Sequence, residues 1–414
     1  MAASGTPWMP GIRLYGHVSA SFGLADGAAA TRRCLEACDL TVDCVDLKLA
    51  THPSAGPAAL VDLSPASQRQ QLNHWLLDLV HTNPNVLAAT PGLLDPSSLT
   101  APLRIGYWAW ELETFPDGWE PFFTHYDEIW CPSAYCAQSL SQRSPVPVVP
   151  LPHLPDWPRL DALRQQRRQR QRSGDPFRFL TLFDFWSTSE RKNPAGAIAA
   201  FQAAFPPEQA SADPPVELLV KTSSAEQFPR QRRQLEALAG GDPRVRWRDG
   251  LLSRDALDAL FCDADALVSL HRAEGFGLNL ADAMAIELPV IATGYSANLE
   301  FMPPASAELV PWQPCTVQAR CGDYRTGMPW AEPDLEAAAA AMRRLVDQPA
   351  WAAALARRGA AAVRERLATR RLTAIVRQRL AQILLQPSRR QLLGELPPDH
   401  HASVLEWSHA LSPR

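Results

Sequence analysis

ALVSLHRAEGFGLNLADAMAIELPVIAT, residues 266–293, is the stretch whose reading decides the fold. ALVSL (266–270) is an apolar run of strand length, and PVIAT (289–293) is a second. Between them, LNLADAMAIE (278–287) is rich in good helix formers and reads as a helix. A strand, a helix and a strand in succession make a parallel βαβ unit, with the loop at the first strand's carboxyl end opening the helix. In that loop Glu274 stands directly before Gly275, Phe276 and Gly277, and Asp282 follows within the helix.

The same alternation extends on both sides. FRFLTLFDF (177–185) and VELLVKTS (216–223) read as strands, and ERKNPAGAIAAFQAAF (190–205) and RDALDALFCDA (254–264) as helices. Earlier, GIRLYG (11–16) is a strand before a helix over about 24–38. TVDCVDLKL, HWLLDLVHTN, LRIGYWAWEL, DEIWCPS and VPVVPLP are short strand-like runs, with a helical stretch at 134–143. Residues 334–348 and 351–386 read as long helices, and 300–330 as irregular. The expectation is an α/β protein of two doubly wound parallel-sheet halves. The boundaries are 1–155 for an N-terminal Rossmann-like domain, 156–176 for a basic linker, 177–350 for a C-terminal Rossmann-like domain, and 351–414 for C-terminal helices and a tail. The linker, DWPRLDALRQQRRQRQRSGDP, is either a basic surface for anionic lipid or phosphate, or a solvated helical connection.

Bulk properties narrow the function classes. The chain has 414 residues and a formal net charge of −4, which argues against a nucleic-acid partner. No apolar run is long enough to cross a bilayer, and the N-terminus lacks the basic and apolar segments of a signal peptide. A cytoplasmic protein is expected, with the basic stretch leaving room for peripheral contact with the inner face of the membrane. The eight cysteines form no CxxC pair and read as buried free thiols.

The loop after ALVSL carries the chemistry. Backbone N–H groups of Gly275, Phe276, Gly277 and Leu278 at a helix start, with the helix dipole, suit a phosphate. A carboxylate beside bound phosphate would repel it, so Glu274 and Asp282 should face sugar hydroxyls, which donate to ionised carboxylates. The plainer reading makes Glu274 a helix cap and Asp282 a solvent-facing residue. Arg191, Lys192 and Lys221, at strand carboxyl ends, would supply positive charge to a departing diphosphate. Glu111, after a strand, could bind an acceptor hydroxyl, while its neighbours Trp108 and Trp110 read as core. His81 and Asn83 also end a strand. Asp263 and Asp265 form a D-x-D, but at the amino end of ALVSL, the wrong edge for a catalytic metal. Neither a metal nor a cofactor is expected.

EGFGLNLADAM (274–284) resembles the E-x7-E motif of the retaining glycosyltransferases of family 4, which adopt the GT-B fold. DFWSTSERKNPAGAIAAF (184–201), LLVKTS (218–223) and SLHRAEGFGLNLADAM (269–284) are similar to bacterial members that build polysaccharides and other glycoconjugates. GHVSASFGLADGAAATRRCLEA (16–37) and LRIGYWAWELETFPDGW (103–119) resemble their N-terminal half, so the match spans roughly residues 11–385. The resemblance implies two facing Rossmann-like domains, with a C-terminal helix crossing back to the first. It implies metal-independent transfer of a hexose from a nucleoside-diphosphate sugar to a glycan, lipid-linked or other glycoconjugate acceptor. Glu274 would contact the transferred sugar and Asp282, in place of the family's usual Glu, the ribose. Lys192, Arg191 and Lys221 would contact the diphosphate, with Gly23 and Leu24 forming a glycine loop over it. His271 and Arg272 would border the donor, and Asn298 its sugar. The rival readings are another GT-B enzyme, a nucleotide-sugar epimerase or a phosphorylase, and a non-catalytic sugar-nucleotide-binding protein.

Overall fold

A computed structural model describes residues 11–51, 75–170, 174–206 and 215–386. The chain divides into two compact units: Met1–Ala109, Pro116–Leu154 and Leu367–Arg414 form the first, and Trp110–Phe115 with Pro155–Arg366 the second. Each is built around a six-stranded parallel sheet. In the first unit the strands are β1 (Gly11–Gly16), β2 (Thr41–Asp46), β3 (Trp75–His81), β4 (Leu103–Tyr107), β5 (Glu128–Cys131) and β6 (Val148–Pro150), in the order β2-β1-β3-β4-β5-β6. In the second they are β7 (Phe177–Asp184), β8 (Val216–Ser223), β9 (Val245–Arg248), β10 (Ala266–Ser269), β11 (Val290–Thr293) and β12 (Glu308–Val310), in the order β12-β11-β10-β7-β8-β9. A separate antiparallel hairpin pairs β13 (Trp312–Thr316) with β14 (Pro329–Pro333).

Central strands are covered on both faces, which explains why they read as unbroken apolar runs instead of alternating ones. Leu76, Leu77, Leu79 and Val80 of β3 are all buried, as are Leu267 and Val268 of β10. The edge strand β9 escaped the sequence reading because Arg246 and Arg248 interrupt its apolar signal. The strands within 300–330 escaped it because they are short and flanked by proline.

Two helices differ from the expectation. The stretch 190–205 is split by Asn193, which takes a left-handed φ of 53° and caps the helix Pro194–Ala204 by accepting from Gly196 N at 3.0 Å. An Asn before a Pro at the first helical position is a start signal. The long helix over 351–386 is two, Pro349–Arg366 in the second unit and Thr369–Leu384 in the first, parted at Ala368, whose ψ of 135° is not helical. Each piece buries its apolar stripe in a different core, so one straight helix could not serve both.

Of the arginine-rich stretch 156–176, Trp157–Gln169 is a helix in the second unit. Arg167 and Arg170 donate to the carbonyls of Cys262 and Ala264 at the end of helix Arg254–Asp263. Arg168 forks onto Glu287. These side chains bind the helix to its own unit. Six cysteines are buried and two are half-buried, all as free thiols. Among the described residues no helix is long and apolar enough to cross a membrane.

Candidate functional site

The second sheet places three loops together at its strand carboxyl ends. After β7 the chain makes the short helix Ser189–Lys192, entered through Thr188 at φ 67°. After β10 it runs through His271–Gly277 into helix Leu278–Ala285. After β11 it passes through Ser296, at φ 75° and ψ −155°. The loops are stitched by backbone and buried side chains: Arg272 N donates to Arg191 O at 2.7 Å, and Asn193 Nδ2 to Leu270 O at 2.9 Å. Glu274 N donates to Ser296 Oγ at 2.8 Å, and Ala297 N to Glu274 O at 3.2 Å. Three non-glycine residues of these loops, Thr188, Asn193 and Ser296, are held at positive φ, backbone strain of the kind that clusters at functional sites and costs about 1–3 kcal/mol a residue.

At the junction Lys192 Nζ donates to Glu274 Oε1 at 2.5 Å. Arg191 Nη1 lies 3.5 Å from the same oxygen and donates to Ala273 O at 2.9 Å. Glu274 is only 7% exposed. Burial alone would raise its pKa, but the neighbouring Lys192 and Arg191 outweigh that and hold it at about 2. Arg191 is 3% exposed, and burial would lower its pKa, yet Glu111, Tyr324 and Glu274 raise it further above the ordinary arginine value. Gly277 caps the helix at φ 96°, a conformation that favours glycine, and a Cβ there would come within 2.9 Å of Leu280 Cδ1. The first N–H groups of that helix have no intrahelical partner, by the geometry of any helix start. The site therefore sets an ionised carboxylate and a cation beside an amide-lined helix N-terminus.

The other expected site residues divide. His271 is fully buried: its Nδ1 lies 3.0 Å from Ser269 Oγ and its Nε2 3.2 Å from Asn298 Oδ1. Burial depresses the His271 pKa, with Lys192 adding to the effect against the pull of Glu274. Asn298 spends its amide on Thr293 O at 3.1 Å, so the pair braces the two loops from within. Arg272 forks onto Glu332 of β14 at 2.7 and 2.9 Å, tying the hairpin to the loop. Phe276 is buried against Phe301, ring centroids 5.2 Å apart. Lys221, at the end of β8, is 8% exposed, and its side chain makes no hydrogen bond or ion pair among the described residues. Burial lowers its pKa against the pull of Asp184 and Asp249, and it contacts neither Lys192 nor Glu274.

Asp282 is claimed by Arg159, whose other nitrogen donates to Asp258 at 2.6 Å. Glu111, in the segment that belongs to the second unit, accepts from Tyr324 Oη at 2.8 Å and lies 3.4 Å from Arg191 Nη2. Gly23 and Leu24 belong to the first unit, where Gly23 begins helix Gly23–Glu36 with no positive φ, and a Cβ on it would meet nothing within 4 Å. Trp108 and Trp110 are core, and His81 is buried with its ring 4.1 Å from that of Tyr107. Asp265 accepts from Arg178 N at 2.7 Å and Asp263 ends a helix. Among the described residues no group of three or more His, Cys, Asp or Glu could hold a metal ion.

Sequence reasoning passed over Ser296, Asn193 and Tyr324. The Asn-Pro pair signalled Asn193, but nothing local marks a serine for strain or a tyrosine for a partner far along the chain.

No curated protein matches this chain. Solved structures match its fold. Sucrose-phosphate synthase from Thermosynechococcus elongatus superposes with a TM-score of 0.59 at 16% identity, covering 91% of this chain and 99% of that one. A UDP-forming α,α-trehalose-phosphate synthase from Burkholderia xenovorans gives 0.60 at 14% identity, covering 89% and 99%. HepE from Anabaena, solved with UDP and glucose, gives 0.55 at 13%, covering 91% and 99%. These likenesses concern architecture, two Rossmann-like domains of the GT-B type. The family model described as family 4 glycosyltransferase in conflict systems matches residues 137–380, more than half of the sequence and all of the loops just described, so this chain belongs to that glycosyltransferase family.

Proposed function

We propose that the protein is a retaining glycosyltransferase that moves a hexose from a nucleoside-diphosphate sugar to a glycan, lipid-linked or other glycoconjugate acceptor. The observation that carries this reading is the Lys192–Glu274 pair, 2.5 Å apart, beside the glycine-capped start of helix Leu278–Ala285. The pair holds one group for each side of the donor bond that breaks. Lys192 and the amides of Gly275–Leu278 take the diphosphate, and Glu274, kept ionised, accepts hydroxyl hydrogens of the transferred sugar. Lys221 adds positive charge at the neighbouring strand end. Asp282 accepts a ribose hydroxyl on the part of its carboxylate that Arg159 leaves uncovered, its side chain being 23% exposed.

In the reaction the bond from the anomeric carbon to the phosphate oxygen breaks, and a bond to the acceptor oxygen forms on the same face. The acceptor's hydroxyl proton passes to the departing phosphate oxygen, and Lys192 offsets the charge that develops there. The charge is met by an ammonium and amides, so the reaction runs without a divalent metal. HepE, solved with UDP, and the UDP-forming trehalose-phosphate synthase make uridine nucleotides the first donors to try.

The test is a screen of UDP, GDP, ADP and dTDP sugars by thermal shift, followed by donor hydrolysis with and without EDTA. Glu274→Gln and Lys192→Ala are each expected to lower turnover by about 100-fold or more while the circular dichroism spectrum is unchanged. Near-normal turnover in both overturns the site, and loss of turnover with EDTA overturns the metal-free mechanism. The occupation of Asp282 by Arg159 favours one rival, a sugar-nucleotide-binding protein without catalysis. Donor binding with no turnover across many acceptors would favour it, whereas slow donor hydrolysis argues for the enzyme.

A further inference from the structure

Arg191 precedes Lys192 and looks on sequence grounds like a second phosphate ligand, but its donors point inward. One terminal nitrogen donates to Ala273 O and approaches Glu274, the other faces Glu111 at 3.4 Å, and the Tyr324 ring centroid lies 5.9 Å from the guanidinium carbon. Glu111 is engaged at both oxygens, by Arg191 and by the Tyr324 hydroxyl at 2.8 Å. That leaves little of it for an acceptor. Tyr324 is itself fixed, buried with its ring 5.3 Å from Trp110, and its backbone exchanges hydrogen bonds of 3.0 and 3.1 Å with Cys321. The loop bearing Tyr324 hangs between β13 and β14, and that hairpin is bound back to the Glu274 loop by Arg272–Glu332 and by Ala331 N donating to Arg272 O at 3.0 Å. The contacts close a ring that begins and ends on the loop carrying Glu274.

We propose that Tyr324 and Glu111 are positioning residues, which with Arg191 form a strut that holds the Glu274 carboxylate toward the transferred sugar once Lys192 turns to the donor diphosphate. The inference rests on the reading of Glu274 and Lys192 given above. Lys192 is the partner able to leave: its stem is flexible and its side chain is 22% exposed, against 4% for Arg191. When it leaves, Glu274 would be a buried carboxylate with no cation, a costly state that tends to end in protonation. Arg191 prevents this, and can stay because Glu111 balances its charge and Tyr324 holds Glu111. Tyr324 and Glu111 reach Glu274 through Arg191, so their loss acts on sugar recognition and leaves phosphate binding alone.

The experiment titrates UDP, GDP and ADP, each alone and as its glucose or mannose ester, against the full chain, and carries forward the pair the wild type binds. Tyr324→Phe deletes one oxygen and keeps the ring beside the guanidinium, and Glu111→Gln keeps shape but removes charge. In both, the sugar ester should lose about tenfold in affinity while the bare nucleotide binds as in the wild type, the size expected for a charge-assisted hydrogen bond. Arg191→Lys, which keeps charge but not the fork, should show the same selective loss, and melting curves confirm that each variant is folded. Glu274→Gln is the reference. If it abolishes the preference for the ester while Tyr324→Phe and Glu111→Gln keep it, the strut is overturned. A parallel loss of nucleotide and ester, the mark of a general structural role, also overturns it. If Glu274→Gln itself leaves the preference intact, or no pair binds, the proposed function falls and the strut with it.

Discussion

Glu274 shows at the scale of one residue how a buried acid is kept charged. Its folded pKa of about 2 lies below the ordinary 4.5, so its ionised form is favoured by the fold. A depressed carboxylate contributes stability that is fully present above its unfolded pKa and is lost as pH falls through the folded value. The window here runs from about 4.5 down to about 2. In wild type and Glu274→Gln compared by urea unfolding, the wild-type advantage, a few kcal/mol at most, should shrink steadily as pH drops through that window. A constant difference would show that the charge is not what Lys192 and Arg191 stabilise. The contiguous residues of this site were legible: Glu274 and Gly277 lie in one motif, and Arg191 and Lys192 are adjacent. Their division of labour was not, because whether a guanidinium faces a ligand or a neighbouring carboxylate depends on side chains eighty or more positions away.

Elements add what residues alone lack. Helix Leu278–Ala285 can present its N-terminus only because Gly277 turns the chain at φ 96°. Gly277→Ala should cost about 1–3 kcal/mol, from the left-handed conformation and the 2.9 Å approach to Leu280, and should weaken nucleoside-diphosphate binding along with it. Melting temperature and nucleotide titration on the same sample check both, and an unchanged melting point would mean the turn relaxes freely. The helix and its flanking strands could be read directly, since apolar runs of strand length bracket a stretch of helix formers. The β13–β14 hairpin could not, because its proline-bounded strands carry neither the length nor the alternation that marks one.

At the scale of the whole molecule the chain returns to its first unit after completing the second. Helix Thr369–Leu384 buries Leu372, Val376, Leu380, Ile383 and Leu384 there, packs on helix Gly23–Glu36, and sets Arg379 on the buried carboxylate of Glu128. Five such side chains at about 1.5–3 kcal/mol each amount to roughly the entire stability of a typical domain. Truncation after Arg366 should therefore leave the first unit unfolded, seen as rapid proteolysis within residues 11–154 while fragments of the second unit persist. Equal resistance of both units would show that the helix is dispensable. Arg379→Ala, which strands Glu128, should cost about 3–5 kcal/mol in the same unit.

The sequence by itself determined the α/β class, most of the succession of strands and helices in both halves, and the loop that carries both the acid and the glycine turn. Apolar period, helix propensity and the conformational freedom of glycine act over a few residues, and a few residues are enough to read them. Only the tertiary structure decided that Arg191 and Glu111 face each other, that Arg159 covers Asp282, that Ser296 holds Glu274 in place, and that the last helix serves the first unit. Those outcomes turn on which charged and polar groups are left without water when distant segments close together. Coulomb attraction and desolvation take their values from separations in space, and spacing along the chain does not encode them.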